Sequence, residues 1–129
     1  MKMLGLLPVF LSVMVAFGAH AQGTEQIHIS LTSYAFAPAP IALKAGTTYR
    51  LHLTNDSTKE HNFTAAEFFA ASMIASPDRT TLEDGKEVEV EPGKPIDITL
   101  TPTRAGTYQV TCSHFLHSML GMKAAIIVK

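Results

Sequence analysis

Apolar and polar residues alternate along much of the chain with a period of two, the pattern of strands that bury one face. Ile27, Ile29 and Leu31 alternate with His28 and Ser30, and Tyr49, Leu51 and Leu53 with Arg50, His52 and Thr54. Ile96, Ile98 and Leu100 alternate with Asp97 and Thr99, while Val88 and Val90 form a shorter run. Tyr108, Val110 and Cys112 share a face opposite Gln109 and Thr111, and Ala124 to Val128 predicts a terminal strand. Turn chemistry separates these runs at Lys44-Ala45-Gly46-Thr47, Asn55-Asp56-Ser57, Pro92-Gly93-Lys94-Pro95 and Arg104-Ala105-Gly106. Pro38 and Pro40 interrupt the pattern, because proline has no N–H to give a strand ladder, and Ile41-Ala42-Leu43 resumes it. Short strands with a turn every ~8–12 residues predict an all-β sandwich or barrel.

The stretch from Ala65 to about Arg79 is different. Ala65-Ala66-Glu67-Phe68-Phe69-Ala70-Ala71 holds good helix formers with no Gly or Pro, which predicts one or two helical turns ended by Ser76-Pro77-Asp78. Met73 is expected to fill a gap beneath this helical insertion. Asp84-Gly85 suits a tight hairpin turn. The acids Glu83, Asp84, Glu87, Glu89 and Glu91 read as a solvated hairpin edge that discourages strand pairing. His28 and His52 fall on polar strand phases and read as surface residues.

The N-terminus follows another logic. Lys2 precedes an apolar run from Leu4 to Phe17, and Ala19-His20-Ala21 gives the small-x-small pattern of a signal peptidase site. The run contains Pro8 and is shorter than the ~20 apolar residues of a membrane span. No cysteine stands at the cleavage point for a lipid anchor. Residues 1–21 are therefore expected to be a signal peptide and residues 22–129 the mature domain, periplasmic or otherwise exported and without a stable membrane anchor.

Composition narrows the function. The 129 residues are 47% hydrophobic and 16% charged, with a net charge of −1, enough apolar matter for one packed domain. There is no basic excess to hold a phosphate backbone, which excludes nucleic acid as a partner. The chain has one cysteine, Cys112, so no internal disulfide forms. In an oxidising compartment a lone thiol needs an occupant such as a metal, or burial as an inert hydrophobe.

The chemistry concentrates in Thr111-Cys112-Ser113-His114-Phe115-Leu116-His117-Ser118-Met119-Leu120-Gly121-Met122. One thiol, two imidazoles and two thioethers lie within it, the soft donor set that copper favours. A trigonal His₂Cys site with a weak axial Met is a blue-copper arrangement. Cys112, His117 and Met122, spaced C-x₄-H-x₄-M, supply three of those donors, and His61 in Glu60-His61-Asn62-Phe63 supplies the second imidazole. His114 rivals His117 and Met119 rivals Met122, each only two residues from a neighbouring donor.

With these residues the sequence resembles the cupredoxin family, the small plastocyanin- and azurin-like copper proteins. The resemblance spans the mature chain through Tyr34-Ala35-Phe36, Lys44-Ala45-Gly46, His61-Asn62-Phe63, Ala105-Gly106-Thr107-Tyr108 and the Cys112–Met122 loop. It implies a Greek-key β-sandwich and a copper ion cycling between Cu⁺ and Cu²⁺. His61, Cys112 and His117 would be its strong ligands, Met122 the long axial one, and Asn62 a brace between the two ligand segments. The loop departs from the family pattern at His114 and the bulky pair Phe115-Leu116.

The expected function is one-electron transfer by a monomer, with a redox partner protein docking near His117 across Phe115, Leu116, Met119 and Leu120. The alternative for those four side chains is that they pack inward to shield the metal. No acid/base pair, nucleophile–base constellation or phosphate loop is visible, so no enzyme activity is expected. Copper delivery, storage or resistance is the alternative function, with His114 and Met119 as extra donors. An open copper site reacting with a small molecule such as a nitrogen oxide is another, and would need Met122 not to coordinate.

Overall fold

The computed structural model describes residues 23–129 together with the single positions Val13 and Gly18, so apart from those two positions the expected signal peptide, with its cleavage point, lies outside the described residues. Among the described residues, ten strands form two five-stranded sheets packed as a sandwich. In the first, β1 (Glu25–Thr32) lies between β2 (Ala35–Ala37) and β4 (Tyr49–Asn55), followed by β8 (Ile96–Pro102) and β6 (Ser72–Ile74). In the second, β3 (Ile41–Leu43), β10 (Lys123–Val128), β9 (Gly106–Thr111), β5 (His61–Thr64) and β7 (Glu87–Val90) lie side by side.

The period-two residues do what their spacing predicts. Ile29 and Leu31 of β1, Leu51 and Leu53 of β4, and Ile98 and Leu100 of β8 are all buried, and Leu51 stands between Ile27 and Ile98 across the sheet. Pro38 and Pro40 fall where the chain leaves one sheet for the other, between β2 and β3. A stretch that cannot donate ladder hydrogen bonds is a natural place to change sheets. Asp84 and Gly85 both have positive φ, 50° and 68°, and Lys86 N–H donates to the Glu83 carbonyl at 2.9 Å, closing the expected tight turn.

The insertion carries the expected helical turns, with an unforeseen strand between them. Helix α1 covers Ala66–Ala70 and buries Phe68 and Phe69, but Ser72–Ile74 forms an edge strand on β8 before a single turn, α2, at Asp78–Thr81. The Met73 expectation is corrected with it: on that edge strand its side chain points outward and is 68% exposed. No helix among the described residues is long and apolar enough to cross a membrane.

Phe63 of β5 is fully buried and packs edge-on to Phe36 at 5.9 Å and against Phe69 at 5.9 Å. That aromatic cluster links both sheets and α1 directly behind the strand that carries His61.

Candidate metal centre

Three elements converge at one end of the sandwich. β5 and β9 run antiparallel with Thr64 opposite Thr111, so His61 at the start of β5 lies across from the first residues of the loop that follows β9. Cys112 is fully buried just beyond β9, inward like Val110, while Tyr108 on the same face is half-buried. The loop is closed on itself: Cys112 N–H donates to the Met122 carbonyl at 3.2 Å, and Met122 N–H donates to the His117 carbonyl at 3.0 Å. Within it, Leu116 has φ 67° and Gly121 φ 93°. The second suits glycine, while the first strains a branched residue by about 1–2 kcal/mol.

His61 Nδ1 and His117 Nδ1 stand 3.1 Å apart, and Cys112 Sγ lies 3.4 Å from His117 Nδ1 and 3.9 Å from His61 Nδ1. Metal–nitrogen bonds of about 2.0–2.1 Å and a metal–sulfur bond of about 2.3 Å would set the donors of one ion roughly 3.1–3.8 Å apart, close to these separations. His61 Nε2 is buried without a hydrogen-bond partner, and no carboxylate belongs to this donor cluster. Leaving that nitrogen unpaired costs free energy, while the other ring nitrogen, Nδ1, faces His117 Nδ1 and Cys112 Sγ. Burial pushes the His61 pKa below the usual histidine range, helped by His117, His114 and Lys59. Burial does the same to His117, with His114 and Lys59 adding to it. Both imidazoles are thereby kept neutral, with lone pairs to offer. One sulfur and two imidazole nitrogens, with a thioether buried in the same core, fit copper.

Met122 is fully buried and its backbone is tied to both Cys112 and His117. Met119 is 81% exposed, and His114 is not part of the donor cluster. Instead, His114 Nε2 and Glu89 Oε1 are 2.6 Å apart.

Several neighbours hold the donors in place. Asn62 Oδ1 accepts from Ser113 N–H at 2.8 Å, Asn62 Nδ2 donates to Ser113 Oγ at 2.6 Å, and Asn62 N–H donates to Cys112 Sγ at 3.4 Å. The brace implied for Asn62 is therefore built. Tyr34 packs its ring 5.1 Å from His117 and 6.1 Å from His61, edge-on to the latter. The acidic stretch does form a sheet edge with Glu83 and Asp84 exposed, but Glu87 and Glu89 are corrected from their expected solvated role. Glu87 Oε2 accepts from Thr64 Oγ1 at 2.8 Å and Ser113 Oγ at 3.1 Å, and Glu89 engages His114. No local pattern signals these roles, because each joins residues more than twenty positions apart.

Phe115, Leu116, Met119 and Leu120 are 87%, 44%, 81% and 57% exposed, which decides against inward shielding. They flank the half-exposed His117 in sequence.

A family model described as cupredoxin-like domain matches residues 5–128. No curated protein sequence is significantly similar to the chain. Among solved structures, dithionite-reduced auracyanin from the photosynthetic bacterium Roseiflexus castenholzii is 22% identical, with a TM-score of 0.60 over 81% of this chain and 96% of its own. Auracyanin A of Chloroflexus aurantiacus, a "blue" copper protein, is 20% identical, with a TM-score of 0.61 over 83% of this chain and 100% of its own. A multicopper oxidase is 14% identical, with a TM-score of 0.63 over 81% of this chain but only 44% of its own. These likenesses establish the shared sandwich.

Proposed function

We propose, for a chain that belongs to the family of cupredoxin-like domains, the role of an exported one-electron carrier whose copper ion is held by His61, Cys112, His117 and Met122. The observation that carries this reading is the convergence of His61 Nδ1, His117 Nδ1 and Cys112 Sγ. Bound copper supplies the redox chemistry, passing between Cu²⁺ and Cu⁺ with one electron. The protein's part is to hold the donors still and keep water out. His61 and Cys112 do so from the buried end of the sandwich, and Asn62 ties their two segments together. A fixed geometry suited to both oxidation states keeps reorganisation small, while burial and the hydrogen bond to sulfur tune the potential.

His117 gives the way out. It is half-exposed in a loop whose apolar side chains on either side in sequence are exposed, where a redox protein can come close without binding tightly. Export is supported by the N-terminal sequence pattern. An enzymatic open site is disfavoured by Met122, buried and tied to the loop it would have to leave. Exposed Met119 favours copper hand-off as a second reading. Coulometric titration of the copper-loaded protein separates these. The carrier takes up one electron per copper, reversibly, with retention of metal and no consumption of nitrite or oxygen. Loss of copper on reduction would favour hand-off, and turnover would favour an enzyme.

A further inference from the structure

The ligand loop presents two histidines, and something must choose between them. His114 stands two residues from Cys112, with its ring 5.6 Å from that of His117, close enough for a modest loop movement to bring it to the metal. It is held elsewhere. Its Nε2 lies 2.6 Å from Glu89 Oε1, and Glu60 offers a second carboxylate, the three ligating atoms lying within 4.8 Å of one another. Glu89 is fixed in turn by its strand. β7 pairs with β5 so that Glu89 stands opposite Asn62, the residue that braces Cys112 and Ser113. The carboxylate is therefore aligned with the ligand segments by backbone pairing rather than by a mobile loop.

Resting on the copper reading above, we propose that Glu89 is a positioning residue that selects the copper ligand: by capturing His114 it leaves His117 as the loop's one imidazole donor. A carboxylate is suited to this task, because it accepts the imidazole N–H strongly and is a donor type copper prefers less than nitrogen and sulfur. Glu87, bonded to Ser113 Oγ one residue earlier, steadies the same stretch of chain.

The test compares Glu89→Ala, Glu89→Gln, His114→Ala and the Glu89→Ala/His114→Ala double variant, each copper-loaded and followed by visible absorption and electron paramagnetic resonance. Glu89→Ala should shift the intense band and add a second copper signal. Adding His114→Ala should remove that signal and restore the wild-type spectrum. Glu89→Gln, which keeps an acceptor, and His114→Ala alone should both retain it. In the metal-free protein, nitrogen NMR of the His114 ring should show an Nε2-bound proton that Glu89→Ala no longer holds in slow exchange. An unchanged spectrum in Glu89→Ala, a double variant that stays altered, or loss of the band in His114→Ala would each overturn the proposal. Were Glu89→Ala to misfold, His114→Ala would still decide whether His114 is a ligand. A wild-type protein without an intense band would overturn the copper reading itself, and the selection role with it.

Discussion

The two histidines of the site live in opposite surroundings. His61 opens a four-residue strand, is fully buried, and has Phe63 and the aromatic cluster behind it. His117 sits inside the loop from Cys112 to Met122, half-exposed, with exposed apolar side chains on either side in sequence. The strand side resists movement because displacing it would open the core, and interiors packed at crystal-like density give little. The loop side has less backing, and its order comes from short backbone bonds, from Tyr34 packed against His117, and from Asn62, Glu87 and Glu89 bonded to it. On the proposed reading the contrast lets one small domain meet two opposed demands: one imidazole would anchor the ion and the other would offer an edge to a partner.

That contrast can be broken most sharply by deleting each ring in turn. His61→Gly and His117→Gly should both lose the intense copper band. Free imidazole in solution should restore it in His117→Gly, where the vacancy opens to solvent, and not in His61→Gly, where it is sealed. Equal rescue of both would show that burial does not separate the two sites. Circular dichroism of each variant guards against simple unfolding.

A smaller effect is expected at the exposed apolar side chains of the loop. Leu120→Asp should slow electron self-exchange between copies of the protein about tenfold, the consequence of losing roughly 1.4 kcal/mol of encounter free energy. The absorption spectrum should stay unchanged, since Leu120 is 57% exposed. A shifted spectrum with unaltered exchange would mean that Leu120 serves the metal geometry instead of the docking face.

The smallest effect concerns acid. In the metal-free protein both imidazoles are held below their ordinary value of 6.5 by burial. The unfolded chain therefore takes up protons at a higher pH than the folded one. Stability is full above about pH 6.5 and declines as the pH falls toward the lowered folded values. Urea midpoints should drop between pH 7.5 and 5.5 and drop less in His61→Gln, because the more deeply buried ring contributes more. A midpoint that rose on acidification would contradict the assignment of neutral histidines.

The long strands were legible because alternation needs room to repeat: β1, β4 and β8 each carry several inward residues. β6 spans three residues and is hidden among helix formers, so no period could reveal it. β5 hides differently. His61, Asn62 and Phe63 are all buried, because the ligand loop covers the face of the strand that would otherwise meet solvent. Among the site residues, donor type and spacing marked Cys112, His117 and Met122 and picked His61 as the second imidazole, while the family resemblance supplied the role of Asn62. Glu87, Glu89 and the packing of Tyr34 were not legible. Their importance comes from strand register and loop placement, which put Glu89 against His114 across 25 positions of sequence.

The central claim is that Cys112 binds copper between His61 and His117. The visible absorption spectrum of the copper-loaded protein, taken beside that of Cys112→Ser, tests it most directly. A thiolate bound in a trigonal copper site gives an intense charge-transfer band, which the wild type should show and Cys112→Ser should lack while keeping its β-sheet circular dichroism. An intense band that survives in Cys112→Ser, or a wild type that binds copper without one, would contradict the account.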